Sequence, residues 1–239
     1  MILDIDHIAL NSSDFSTLAD IFCKLDYVVE FDEKRVKNPK IKENLMQHFS
    51  EYHDLCLLKS KDNLNIELLN HKIINKKNGF LTPIFDGVNR NFPEKNQILK
   101  IKNSNIPLII EYTDNNFLFN KIIIETNNLE ESENFWKSLG FFQKKDSENH
   151  LCFNSILSEK KYELILKENE DDSKNNLDDA GWNCIALLSN SIEKEYDFLK
   201  NRYITTKIEL LEINQKQLRI FFVKSPGGEL IEIISLMNQ

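Results

Sequence analysis

The chain has 239 residues, 41% of them hydrophobic and 28% charged, with a formal net charge of −8. The apolar share can fill a packed core and excludes wholesale disorder, and the acidic balance offers no net positive field to hold a nucleic-acid backbone. No apolar run reaches the roughly 18 residues of a membrane-spanning helix. Acids stand among the first six residues where an export signal has bases, and the four cysteines share no CxxC spacing, so a cytoplasmic protein with reduced thiols is expected.

In chain order, residues 5–11 (IDHIALN) form the first β-type run, and a helix through Ala19, Ile21 and Phe22 and a strand at 26–31 follow. The lysine-rich stretch from Lys34 to Lys42 reads as a solvated loop, and residues 54–58 (DLCLL) as a further strand. Residues 64–69 (LNIELL) close the unit; by the two-residue period Ile66 and Leu68 face one side and Glu67 the other. From 70 to 100 the periodicity fades around Pro83, Gly87 and Pro93, before another glutamate-bearing run at 106–112 (IPLIIEY).

Residues 120–126 open a unit like the first, with a helix from Leu129 to Ser138 ended by Gly140 and a closing strand at 162–166 (YELIL). Phe135 and Trp136 fall on that helix's sheet-facing side and are expected in the core. Residues 169–179 read as an exposed acidic loop, with Trp182 near a pocket rim. A last unit opens at 183–188 (NCIALL) and closes at 230–234 (LIEII). Asp14, Asn128 and Ser191 each lie seven residues after His7, Lys121 and Cys184 and suit helix N-caps. Four βαβββ-like modules result, the second degenerate, with a linker near 114–116 between an N-terminal half at 1–116 and a C-terminal half at 117–239.

A histidine opening a βαβββ unit, a glutamate in its last strand and repetition of the unit resemble the vicinal oxygen chelate superfamily. That superfamily includes glyoxalase I, extradiol dioxygenases and the fosfomycin- and bleomycin-resistance proteins. Residues 5–10 are similar to its opening strand, and 221–232 (FFVKSPGGELIE) to its closing turn and strand. The N-terminal half resembles a glyoxalase-like domain; the likeness is good over 1–70 and 118–239 and poor over 71–117. It implies an α+β fold in which repeated βαβββ modules form two curved mixed β-sheets, as paired glyoxalase-like domains. It also implies a divalent metal held by first-strand and last-strand side chains, and pairing of two chains as a homodimer.

Carried over by position, His7, Glu67 and Glu111 are the implied metal ligands in the N-terminal half, a set compatible with Fe(II), Mn(II), Zn(II) or Ni(II). Glu111 would also move a proton, and His53, next to the 54–58 strand, is a second candidate for the cavity, ahead of His48. The C-terminal half has Lys121 and Cys184 where the resemblance expects histidine, with Glu163 and Glu232 at the closing positions. These four would line a second pocket. Each assignment has a plainer rival: His7 as a core histidine, Glu67 and Glu111 as solvent-facing strand residues, Glu163 and Glu232 as structural carboxylates, Cys184 as packing, Lys121 as a snorkelling side chain.

No Walker, Rossmann or GxSxG pattern competes. The resemblance implies a divalent-metal enzyme of lyase, isomerase or dioxygenase type acting on a small oxygenated substrate. The alternative is a metal-free protein that sequesters a small molecule on the same fold. A third is a structural partner whose C-terminal half is only an interface.

Overall fold

The computed structural model describes residues 1–73, 75–86, 98–101, 104–107, 109–111, 118–169 and 175–236. The first module is β1 (Ile2–Asn11), α1 (Phe15–Cys23), β2 (Val28–Lys37), a 3₁₀ turn (Lys40–Leu45), β3 (Tyr52–Lys59) and β4 (Asn65–Asn70). Short strands follow: β5 (Asn75–Asn78), β6 (Leu81–Asp86), β7 (Ile98–Ile101), β8 (Ser104–Pro107) and β9 (Ile109–Glu111). The third module is β10 (Leu118–Thr126), α2 (Leu129–Ser138), β11 (Phe142–Gln143), β12 (His150–Asn154) and β13 (Lys161–Glu168). The last is β14 (Asp179–Ser189), α3 (Ile192–Leu199), β15 (Ile204–Thr205), β16 (Glu209–Ile213), β17 (Lys216–Lys224) and β18 (Leu230–Leu236).

The modules pair across the chain. The first sheet runs β15-β17-β18-β14-β1-β4-β3-β2, so the first module joins the last through an antiparallel β1–β14 seam. The second sheet runs β11-β12-β13-β10-β6-β9 and joins the third module to the short strands before it. The two mixed sheets of an α+β fold are those expected; the division at 116/117 places β1 and β14, neighbours in one sheet, on opposite sides of it. β1 has one edge for β4 in parallel and a second edge that its own module leaves unpaired. β14 takes that edge, satisfying its backbone groups.

Helices cover the outer faces. Asn128 caps α2, its side chain accepting from the Glu131 amide at 3.1 Å, and Gly140 leaves the helix at φ +99°. Asp14 and Ser191 hold the N-cap positions of α1 and α3 without side-chain capping bonds. Phe135 and Trp136 are buried as expected. Trp182 is not at a rim: it is fully buried, edge-on to Phe22 at 6.0 Å. Phe22 stacks on Phe85 at 6.4 Å and Phe85 on Phe119 at 4.4 Å, so an aromatic column ties the first module to the second sheet. Gly227 is required by close approach, since a Cβ there would lie 2.0 Å from the hydroxyls of Ser132 and Thr126. Among the described residues no helix is long and apolar enough to cross a membrane.

Two loop expectations are corrected. The 34–42 stretch is not a solvated loop: β2 continues to Lys37, and the 3₁₀ turn after Pro39 carries Lys42 inward to 7% exposure. Near the end of the 169–179 stretch, Asp178 is fully buried because its carboxylate accepts from the Gln47 and His48 amides, both at 2.8 Å. Residues 170–174 lie outside the described residues.

Candidate metal centre

The β1–β14 seam places two rungs of residues side by side. One runs from Glu67 on β4 through Ala9 on β1 to Cys184 on β14; the other runs from His7 on β1 through Ala186 on β14 to Glu232 on β18. Each rung therefore has a glutamate at one end and an alanine in the middle. Alternation puts His7 and Ala9 on one face of β1, with the fully buried Ile8 on the other. The single methyl groups of Ala9 and Ala186 leave room above the sheet into which the longer side chains turn.

His7, Glu67 and Glu232 each offer a ligand atom, all within 4.8 Å of one another. His7 Nε2 is 3.5 Å from Glu67 Oε2 and 4.0 Å from Glu232 Oε2. Its other ring nitrogen, Nδ1, lies 2.8 Å from Asp6 Oδ2. That second contact fixes the ring and aims Nε2 at the carboxylates, the arrangement by which an outer carboxylate orients a ligating histidine. Nε2 is buried and has no hydrogen-bond partner. Two donors on one ion at about 2.1 Å stand roughly 3 Å apart or slightly more, so modest side-chain movement would bring this set onto a divalent cation.

The electrostatics are those of a compact charged cluster. Burial opposes charge on His7, but Glu67 and Asp6 outweigh it and raise the imidazole well above its ordinary value. Burial also works against the charge of Glu67, yet His7 holds that carboxyl below the usual range. Burial, reinforced by the Glu67 charge, pushes Glu232 up to about 7 despite the pull of Lys42 and His7. Two carboxylates facing one imidazole thus carry more negative charge than the imidazole offsets, and a cation between them would relieve the repulsion.

The cluster lines a cavity of about 160 Å³ whose walls include Phe31, Leu55, Leu218, Lys42 and His53. His53 is buried, 5.2 Å edge-to-face from the fully buried His71. Burial and the neighbouring Lys42 charge lower His53 to about 2 and His71 to about 3, so both are neutral.

The residues singled out in the sequence are distributed as follows. His7, Glu67 and His53 come together. Glu111 lies on a strand of the other sheet: it ends β9, opposite Asp86, because the free edge of β1 goes to β14 and brings β18 with it. Glu232 stands where Glu111 was expected. The four residues assigned to a second pocket are divided between the sheets. Cys184 and Glu232 lie in the first; Lys121 and Glu163 face each other in the second. Cys184 is buried, its thiol pushed well up by burial and by Glu232, and its sulfur is not in the group of three. His48 is half exposed, 3.6 Å from Asp178, and is not among the cavity-lining residues. Lys42 was missed; its only signal was Pro39 followed by Ile41 and Leu45, apolar positions unsuited to a wholly solvated loop.

No protein-family model and no curated protein matches the chain. Solved structures do. Glyoxalase I from Zea mays superposes with a TM-score of 0.57 at 13% identity, over 97% of this chain and 92% of that one. A point mutant of the same enzyme gives 0.56 at 14% identity over the same shares. The chain therefore has the glyoxalase-like, vicinal oxygen chelate fold.

Proposed function

We propose that the protein is a divalent-metal-dependent enzyme of vicinal oxygen chelate type, with His7, Glu67 and Glu232 holding the ion. The observation that carries this reading is the buried Nε2 of His7, which makes no hydrogen bond of normal geometry and is aimed between two carboxylates at 3.5 and 4.0 Å. One imidazole and two carboxylates suit Fe(II), Mn(II), Zn(II) or Ni(II). A bound ion with open positions would act as a Lewis acid toward adjacent oxygens of a small oxygenated substrate, in lyase, isomerase or dioxygenase chemistry.

The chain's own groups supply the rest. Asp6 holds the His7 ring in its orientation. Phe31, Leu55 and Leu218 give the cavity an apolar stretch of wall. Glu67 and Glu232 lie on opposite sides of His7, and either carboxylate, when not holding the ion, would be able to take a proton from the substrate and return it. A second reading keeps the cavity and dispenses with the metal: a protonated His7 between Asp6 and Glu67 is already compensated, and the protein would then sequester a small molecule.

Elemental analysis of protein purified without chelators separates the two. The enzyme reading expects near-stoichiometric metal in the parent, lost in His7→Ala and Glu67→Gln while far-UV circular dichroism is retained. A parent that stays empty after reconstitution with all four metals overturns it and leaves the sequestration reading.

A further inference from the structure

Lys42 presents a problem that the metal centre does not solve. Its side chain is carried inward by the 3₁₀ turn and lines the same cavity as His7, Glu67 and Glu232, at 7% exposure. Burying an ammonium is costly unless it is paired. Among the described residues Lys42 acts on the Glu67 and Glu232 charges but forms no close ion pair with either, and its Nζ lies 5.4 Å from the centre of the Phe222 ring. Two other lysines at this cavity fare differently. Lys59 and Lys216 share Glu30, at 3.1 and 3.4 Å.

A second polar side chain borders the same space. His53 lines the cavity at 2% exposure, and its Nδ1 is buried without a hydrogen-bond partner. A neutral imidazole in the Nδ1–H tautomer donates one bond, so Lys42 and His53 together offer a charged and a neutral donor. An anion satisfies both at once, and a charge-assisted bond to Lys42 is the stronger of the two. The size of the ligand is bounded as well. A cavity of about 160 Å³ is close to one of roughly 150 Å³ that accepts benzene. Phe31, Leu55, Leu211 and Leu218 give the cavity an apolar stretch of wall, beside the polar Asp6, Lys37, Lys59 and Lys216.

We propose that Lys42 and His53 form an anion subsite, and that the cavity takes a compact organic carboxylate with an apolar body about the size of a benzene ring. The carboxylate sits on Lys42 and His53, and the rest of the molecule reaches toward the metal centre. Lys42 is then a specificity-determining residue: it selects acids over neutral molecules of the same shape. The assignment of the whole molecule as substrate rests on the metal-enzyme reading, whereas the anion subsite itself does not.

The test is calorimetric titration of the full chain with benzoate and with its neutral isostere benzamide, before and after chelator treatment. Benzoate is expected to bind at least about tenfold more tightly than benzamide. Lys42→Met should remove that preference with little change in melting temperature, because the methionine keeps the packing and removes a buried charge, and Lys42→Arg should retain part of it. Equal binding of the two probes, or no binding of either to the parent, overturns the subsite, as does a preference that survives in a folded Lys42→Met. The comparison on the parent stands even if that variant fails to fold. A benzoate preference in protein that takes up no metal upholds the subsite and overturns only the enzyme reading. Metal without the preference does the reverse.

Discussion

The two sheets are built from the same kind of module and differ in what stands opposite the closing glutamate. In the first sheet Glu67 faces Ala9 and Glu232 faces Ala186, so each carboxylate looks across a methyl group into open space. In the second, Glu163 faces Lys121 directly. Its carboxylate is also held by Lys144 at 2.8 Å and by His150 Nδ1 at 2.6 Å. Burial opposes its charge, but these two partners win and keep it below the usual carboxylate range. The second sheet has thus supplied its glutamate with protein cations, and the first has left two glutamates and a histidine converging on a gap. A closing glutamate alone does not define a metal centre.

The largest expected effect tests that contrast directly. Glu232→Gln should weaken metal binding by about a hundredfold or more, since a ligand's loss exceeds the 10–100-fold typical of an outer partner. Glu163→Gln should leave metal content unchanged; competition with a fluorescent chelator reads both. If the two variants behave alike, the contrast between the sheets has no functional meaning.

Filling the gap comes next. Ala186→Leu places a branched side chain beside His7 and Glu232, and should cost about 1–3 kcal/mol in urea unfolding through overpacking. The fold should survive while metal and benzoate binding are lost. Retained binding would show that the methyl groups do not create the space.

A smaller effect concerns acid. His53 and His71 are neutral in the folded state, lowered to about 2 and about 3, so the unfolded chain binds protons that the folded one does not. Stability is then full above the ordinary imidazole value near 6.5 and is lost as pH falls below it, by on the order of 1.4 kcal/mol per pH unit for each histidine. His71→Phe should flatten the fall in melting temperature between pH 6.5 and pH 5. Because Glu232, raised to about 7, gains stability as pH falls, the test is the difference between the two proteins: a His71→Phe variant whose melting temperature falls as steeply as the parent's would contradict a neutral, buried His71.

Much of the fold was legible. The spacing from His7, Lys121 and Cys184 to the three helix starts gave the repeat, because a strand, a cap and a helix must follow in fixed order. His7 and Glu67 were found together because β1 and β4 belong to one module and pair directly. Glu232 was seen but grouped with Lys121, since local pattern contains nothing about which module adjoins which. That choice depends on the free edge of β1, a long-range matter. Lys42 was hidden for another reason: it lies among Lys34, Lys37 and Lys40, and its burial follows from a 3₁₀ turn folding against β17, which charge pattern does not encode.

The seam between β1 and β14 also sets an order of events during synthesis. Every strand of the second sheet lies between residues 81 and 168, so that sheet can close soon after its own residues leave the ribosome. The first sheet cannot. Its opening module must wait, with one edge of β1 unpaired, until β14 and then β18 have been made. Contacts between such distant segments form slowly, and an exposed edge invites wrong partners in the interval. A nascent chain therefore gains its second carboxylate only when β18 docks, and a product truncated before Glu232 would keep His7 and Glu67 but could not complete the cluster.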